Sequence, residues 1–132
     1  MSVVLVVEDD PNVMMMTCLL LEDAGYEVLK ASNVEEAQDL ARQRPDLDVL
    51  FTDVNLRARH NGIELARLIR QQGSRASVVI VSGDLGWAET TPDPYMRFLA
   101  KPFGRTVLLK AVASACADRD GGGTQGGGTL ST

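Results

Sequence analysis

The chain has 132 residues, a hydrophobic content of 45% and a formal net charge of -5 at pH 7. This length is enough for one domain with a packed core and too short for two ordinary ones. The negative charge repels phosphate backbones and anionic lipid, so we expect protein, cation or small-molecule partners, and no nucleic acid or membrane bound by this domain.

Several features of the sequence indicate the cellular compartment. No apolar run approaches the roughly 18 residues of a membrane span, and the start, MSVVLVVEDD, lacks the basic segment and cleavage site of a signal peptide. Cys18 and Cys116 are far apart without CxxC spacing, which predicts free thiols. The only histidine, His60, is interpreted as solvated in a polar loop. We therefore predict a cytoplasmic protein.

Five short apolar runs predict five strands: VVLVV at 3–7, YEVLKA at 26–31, DVLFT at 48–52, SVVIVS at 77–82 and RFLA at 97–100. Segments with helical periodicity lie between them, with apolar positions at Val34, Ala37, Leu40, Ala41, Ile63, Leu65, Ala66 and Ile69. Alternating helices and almost wholly apolar strands predict a doubly wound α/β fold. We expect a parallel five-stranded sheet with helices on both faces, and if its order is 2-1-3-4-5, that of a flavodoxin-like fold, strands one and three are neighbours.

Several residues predict where the helices begin and end. Asp10 before Pro11 is typical of a helix N-cap, and Ser32 with Glu35 predicts a capping box. Gly25 and Gly73 follow helical segments and predict their ends. Residues 120–132, GGGTQGGGTLST with the preceding Asp, are too poor in apolar side chains to order, so we expect a domain over 1–119 and a disordered tail.

Polar side chains follow the ends of the central strands. Glu8 and Asp9 come after the first strand, and Asp53 comes at the end of the third. Because the carboxyl ends of neighbouring parallel strands share one edge, three carboxylates are expected to meet there. Such a group requires a cation, and an all-oxygen ligand set suits Mg²⁺. Ser82 and Lys101 add a hydroxyl and an ammonium to the same edge.

The acidic pair after strand one, FTD closing strand three, VSG closing strand four and KPF after strand five resemble the receiver domain of two-component response regulators over residues 3 to about 118. The resemblance implies that Asp53 is the phosphoacceptor and that Asp9 binds Mg²⁺ directly. Glu8 would act on the ion through water, and Asn55 would contribute its main-chain oxygen.

The resemblance also assigns the remaining roles at this edge. Ser82 and Lys101 would bind phosphoryl oxygens, and Ser82 and Phe98 would be the switch residues. The implied function is to accept a phosphoryl group from a histidine kinase or phosphotransfer protein and to switch protein contacts. Self-dephosphorylation would be slow at most, so the chain is expected to be a signalling module and not an enzyme.

Two alternatives remain open. A Mg²⁺-dependent phosphohydrolase of the haloacid dehalogenase kind needs a second aspartate two residues after its nucleophile, and this chain has Asn55 there. A pseudo-receiver that binds partners without phosphorylation is favoured by unusual loops. The loop after Asp53 is one residue longer than usual, with Arg57 where a proline is common. The segment TTPDP predicts a short or distorted helix between strands four and five.

The first predicted helix, PNVMMMTCLLLEDAG, indicates how a phosphodonor would bind. At 100° per residue, one face predicted to cover the sheet consists of Val13, Met16, Thr17, Leu20 and Ala24. The opposite side carries sulfur and hydrocarbon where a solvated helix normally carries charge. Since receivers usually bind the donor's helical bundle through this helix, we expect a docking patch composed of Met14, Met15, Cys18 and Leu19.

Overall fold

The computed structural model describes residues 1–56, 61–83 and 93–118. The predictions about Arg57, His60, the helix between strands four and five, and the tail at 120–132 lie outside these residues. Within these three ranges, five strands and four helices follow in the order β1 (Val3–Val7), α1 (Pro11–Asp23), β2 (Glu27–Ala31), α2 (Val34–Gln43), β3 (Val49–Asp53), α3 (Gly62–Gln71), β4 (Ser77–Ser82), β5 (Met96–Ala100) and α4 (Arg105–Ala117).

The strands form one parallel sheet of order β2-β1-β3-β4-β5, which confirms the predicted fold and strand order. All residues of β1, β3 and β4 are buried, as expected for central strands covered on both faces. The register places Asp53 beside Val81, and Ser82 beside Ala100. The carboxyl ends of β3, β4 and β5 therefore lie close together.

Two apolar cores lie on opposite faces of the sheet. One is covered by α2 and α3 and includes Ala37, Ala41 and Ile69. The other is covered by α1 and α4 and includes Leu21 and Leu108, which are completely buried. Burying a leucine side chain of this kind stabilises the fold by roughly 2 kcal/mol. Within the ranges described above, no helix is long and apolar enough to cross a membrane.

The helix ends agree with the sequence in α1 and differ in α2. The Asp10 carboxylate accepts hydrogen bonds from the amides of Asn12 and Val13, at 2.9 and 3.3 Å, which confirms the predicted cap. Gly25 and Gly73 adopt φ angles of 98° and 102°, a left-handed conformation that ends a helix and favours glycine.

The capping box predicted for Ser32 and Glu35 is wrong by one residue. Asn33 is the N-cap of α2, and its side-chain oxygen accepts the Glu36 amide at 2.9 Å. Ser32 donates its amide and hydroxyl to the carboxylate of Glu36, at 2.8 and 2.9 Å. Asn and Ser are nearly equivalent caps, so adjacent candidates leave the starting residue ambiguous.

The predicted orientation of α1 is only partly right. Thr17 and Leu20 of the predicted sheet face pack inward, but Cys18 and Leu21 are also buried, and Met16 of that predicted face is exposed. Apolar side chains surround most of this helix, so its periodicity only weakly favours one face over another. Cys18 therefore belongs to the core, and the expectation that it contributes to a docking surface is not met.

Candidate functional site

The polar residues predicted at the carboxyl edge are brought together by the backbone. The Val54 amide donates to the carbonyl of Val81 at 2.9 Å, which joins the end of β3 to β4. The Lys101 amide donates to the carbonyl of Ser82 at 2.9 Å, which joins the residue after β5 to the last residue of β4. Ser82 thus lies at the end of the strand beside β3, and Lys101 is held next to Ser82.

An ion pair between Asp53 and Lys101 lies at the centre of this edge. The Lys101 ammonium nitrogen is 2.6 Å from Oδ2 of Asp53, while Oδ1 of Asp53 accepts the amide of Asn55 at 3.0 Å. Asp53 is only 8% exposed, so this charge-assisted hydrogen bond is partly shielded from water. Burial lowers the pKa of Lys101, but the hydrogen bond to Asp53 and its charge raise that pKa above the ordinary value.

Glu8 is a second buried acid at the same edge. Its Oε2 accepts the amide of Asp10 at 3.2 Å. Burial raises the pKa of Glu8, the hydrogen bond from Asp10 opposes this, and the negative charge of Asp53 raises it further. Asp9 is half-buried, and its negative charge raises the pKa of both Glu8 and Lys101. The three acids therefore interact electrostatically, as expected from their places at the strand ends.

The acids lie near one another but do not form a closed metal site. Within residues 1–56, 61–83 and 93–118, no three acidic, histidine or cysteine side chains are grouped so that they would hold a metal ion as they stand. Like charges repel, and the Lys101 ammonium already neutralises Asp53. The available donors are carboxylate and carbonyl oxygens, which are the ligand types that suit Mg²⁺.

Gly62, the first residue of α3, lies directly against the main chain of Asp53. A Cβ atom on Gly62 would lie 2.3 Å from the main-chain oxygen of Asp53 and 2.9 Å from Cγ2 of Thr52. Its amide donates to the Val54 carbonyl at 2.8 Å. Sequence reasoning missed this residue, although Asn61 immediately precedes the helical segment that Gly62 begins. Asn61 also forms a capping box with Glu64, which was a detectable signal for the start of α3.

The predicted switch residues lie on neighbouring strands. Ser82 is 1% exposed at the end of β4, and Phe98 is half-buried in β5, opposite Ile80. Phe98 packs against the core beneath α2 and α3. Asn55, two residues after Asp53, is exposed.

A cleft of about 490 Å³ runs from this edge along α1. It is lined by Asn12, Val13, Met16, Thr17, Lys101, Pro102 and Phe103. Beside it, Met15, Met16 and Leu19 are 59%, 64% and 59% exposed and follow one another on the surface of α1. We call these three residues the α1 patch. It retains Met15 and Leu19 from the predicted docking set, adds Met16 and omits the buried Cys18 and half-buried Met14.

The fold and the edge together define a flavodoxin-like α/β domain with an acidic site opposite a lysine. The family model of the response regulator receiver domain matches residues 4–113. The nitrogen assimilation regulatory protein NtrX of Azorhizobium caulinodans is 33% identical over 112 residues, which are 80% of this chain and 24% of NtrX.

Solved structures agree with this match. A response regulator receiver domain protein from Clostridium thermocellum has a TM-score of 0.82 at 26% identity, covering 91% of this chain and 98% of that one. The receiver domain of the hybrid histidine kinase CckA has a TM-score of 0.75 at 29% identity, covering 87% and 99%.

The chain belongs to the response regulator receiver domain family. Receiver domains are signalling modules of two-component systems. They interact with histidine kinases or phosphotransfer proteins, and the family binds Mg²⁺ at its acidic site. This chain spans about a quarter of the length of NtrX.

Proposed function

We propose that this chain accepts a phosphoryl group on Asp53 from the phosphohistidine of a kinase or phosphotransfer protein. The observation that carries the proposal is the contact between Lys101 and Asp53, 2.6 Å long, at the shared end of the central strands. A carboxylate nucleophile and an ammonium that binds phosphoryl oxygens are the two groups that this transfer needs from the protein.

The transfer forms a bond between an oxygen of Asp53 and phosphorus while the bond from phosphorus to the donor nitrogen breaks. Lys101, which is held to β4 through its amide, keeps its ammonium beside the new phosphoryl group. The amide of Asn55 fixes one oxygen of Asp53 and so orients the other. Glu8, Asp9, Asp53 and the main-chain oxygen of Asn55 would hold Mg²⁺, which when bound neutralises charge on the transferring group.

The same residues suggest how the product would alter the surface. Phosphorylation adds about one further negative charge and three strong acceptors at Asp53. Ser82 would donate its hydroxyl to these oxygens, and β4 would carry that movement to its neighbour β5, where Phe98 lies. The result is a change in protein contacts at the β5 edge.

The alternatives are less well supported by the site. A phosphohydrolase needs an acid or base two residues after the nucleophile, and Asn55 has no titratable side chain. A pseudo-receiver has no need for a buried aspartate paired with a lysine, since such a pair is costly to bury and adds little stability. The complete set of acids, hydroxyl and ammonium favours the phosphoacceptor.

We expect acetyl phosphate with Mg²⁺ to add one phosphoryl group to the purified chain, because small donors need only the site itself. Intact-mass spectrometry at neutral pH measures the addition, and peptide mapping after borohydride reduction locates it. A chain that remained unmodified under conditions that phosphorylate a known receiver would establish the pseudo-receiver alternative. Release of free phosphate over many turnovers would establish the phosphohydrolase.

The partner would bind through the α1 patch. The donor's phosphohistidine has to reach Asp53, and the cleft that begins at Lys101 leads directly to Met16. Exposed apolar side chains beside such a cleft are typical of a protein-binding surface, and methionine adapts readily to a partner's shape. The donor's own apolar helical face would cover Met15, Met16 and Leu19.

We expect the double variant Met15→Glu with Leu19→Glu to slow transfer from a phosphohistidine protein by about tenfold or more, because two charges would be desolvated in the interface. Labelling by acetyl phosphate should be unchanged. Leu68→Glu is the matched control, since Leu68 is an exposed leucine on α3, across the sheet from α1. Equal slowing by the control, or loss of labelling with both donors, would contradict docking through α1.

A further inference from the structure

Two exposed thioethers lie on α1, the helix that borders the cleft containing Lys101. The sulfur-bearing side chains of Met15 and Met16 are more than half exposed, whereas Met96 is 8% exposed in the core. Met14 is half-buried, and its Sδ lies 3.5 Å from Sγ of the buried Cys18. The chain therefore contains methionines in contrasting environments, and the two that contact solvent on α1 belong to the proposed docking surface.

We propose that Met15 and Met16 are a reversible oxidation site through which hydroperoxides regulate phosphotransfer from the protein donor. This inference rests on the proposed function and adds a form of regulation to it. The thioether sulfur of either methionine attacks one oxygen of the peroxide, and the oxygen–oxygen bond breaks. The sulfur is oxidised by two electrons to a sulfoxide, and the peroxide is reduced to water or an alcohol.

Oxidation would change the α1 patch without changing the phosphoacceptor. A sulfoxide is polar and a strong hydrogen-bond acceptor, so the donor's apolar face would have to desolvate it on binding. Met16 also lines the cleft that contains Lys101, where a polar group would oppose insertion of an apolar side chain. Asp53, Ser82 and Glu8 are buried at the strand ends and carry no sulfur, so their chemistry would remain.

The cysteines are poorer targets for the same oxidant. Cys18 is 2% exposed, and burial raises its pKa, so little of the reactive thiolate forms. Burial also raises the pKa of Cys116, which is half-buried on α4. The thioethers of Met15 and Met16 are exposed and need no ionisation to react, so they are better targets for peroxide than either cysteine.

The first test is to treat the full chain with hydrogen peroxide and to follow oxygen addition at each methionine by peptide mass spectrometry. We expect Met15 and Met16 to oxidise at least about tenfold faster than Met96, with Met1 as an exposed methionine remote from the site. Oxidation of Met96 or of Cys18 at a rate equal to that of Met15 and Met16 would overturn the assignment.

The second test compares two phosphodonors before and after oxidation. The protein donor is the phosphohistidine form of whichever kinase from the same genome phosphorylates the untreated chain fastest. We expect oxidation to slow this transfer by about tenfold, to spare labelling by acetyl phosphate, and to be reversed by methionine sulfoxide reductases. The variant Met15→Leu with Met16→Leu keeps the apolar surface but has no thioether on it, so peroxide should leave its own transfer rate, whatever that rate is before treatment, unchanged.

The remaining outcomes of these two tests separate the regulatory inference from the proposed function. Unchanged transfer from the kinase to the oxidised chain would overturn the regulatory inference while leaving phosphorylation of Asp53 intact. Peroxide sensitivity in the double leucine variant would also overturn it, because another residue would be responsible. Absence of labelling by acetyl phosphate before any oxidation would instead refute the proposed function itself.

Discussion

Replacing Asp53 with Asn should reduce labelling by acetyl phosphate to background. The substitution keeps the size of the side chain and its hydrogen bond with the Asn55 amide, but it removes the carboxylate that attacks phosphorus. It also leaves the Lys101 ammonium without its carboxylate partner, 2.6 Å away in the parent chain. Intact-mass spectrometry after incubation with the donor and Mg²⁺ measures the effect.

Asp10→Asn is the matched control for this substitution. Asp10 lies only two residues from Glu8, but it is exposed and accepts the amides at the start of α1. Asparagine is an equally good N-cap, so the fold and the labelling should both be preserved. Asp53 would not be the phosphoacceptor if its Asn variant were labelled as fully as the Asp10 variant.

Gly62→Ala should destabilise the fold by about 3 kcal/mol, because the new methyl group overlaps the backbone next to the phosphoacceptor. The added Cβ would lie 2.3 Å from the Asp53 carbonyl oxygen, so β3 or the start of α3 has to move. A shift of this kind displaces the Asp53 carboxylate from Lys101, and we expect phosphorylation to slow by about a hundredfold. Urea unfolding and the rate of labelling measure the two effects.

Gly83→Ala separates this steric effect from the general cost of replacing a glycine. Gly83 is exposed, and a Cβ atom there would meet nothing within 4 Å. The free energy of unfolding of the Gly83→Ala variant should differ from that of the parent chain by less than about 1 kcal/mol. If Gly62→Ala unfolded at the same urea concentration as Gly83→Ala, the contact with Asp53 would not be a constraint on the site.

The sheet was predictable because its signals are local and strong. The three central strands are mainly apolar runs, and a parallel sheet buries both of its faces, so their positions follow from the pattern, whereas their order was an expectation from the flavodoxin-like fold class. The orientation of α1 was not predictable in the same way. Apolar side chains at Met15, Met16 and Leu19 resemble core residues in the sequence, and only packing against the sheet decides that Cys18 and Leu21 are the buried ones.

The candidate site likewise has features that the sequence predicts and features that it does not. Strand-end positions placed Glu8, Asp53, Ser82 and Lys101 at one edge, since the ends of parallel strands coincide. The sequence did not reveal which charges would pair, because the ion pair between Lys101 and Asp53 joins two segments that β4 separates in the sheet. Gly62 was missed for a similar reason, since its constraint comes from the carbonyl of Asp53 and not from the turn around it.

The arrangement of α1 has a consequence for the evolution of signalling specificity. Met15 and Leu19 lie on the solvent side of a helix whose opposite side, at Cys18 and Leu21, packs in the core. Neither residue lines the cleft that contains Lys101. Since we propose that phosphodonors bind through the α1 patch, substitutions at these two positions after gene duplication would change which phosphodonor is recognised, while the proposed phosphoacceptor chemistry stays under unchanged selection. New signalling pathways would then diverge by surface substitution alone, without passing through an inactive intermediate.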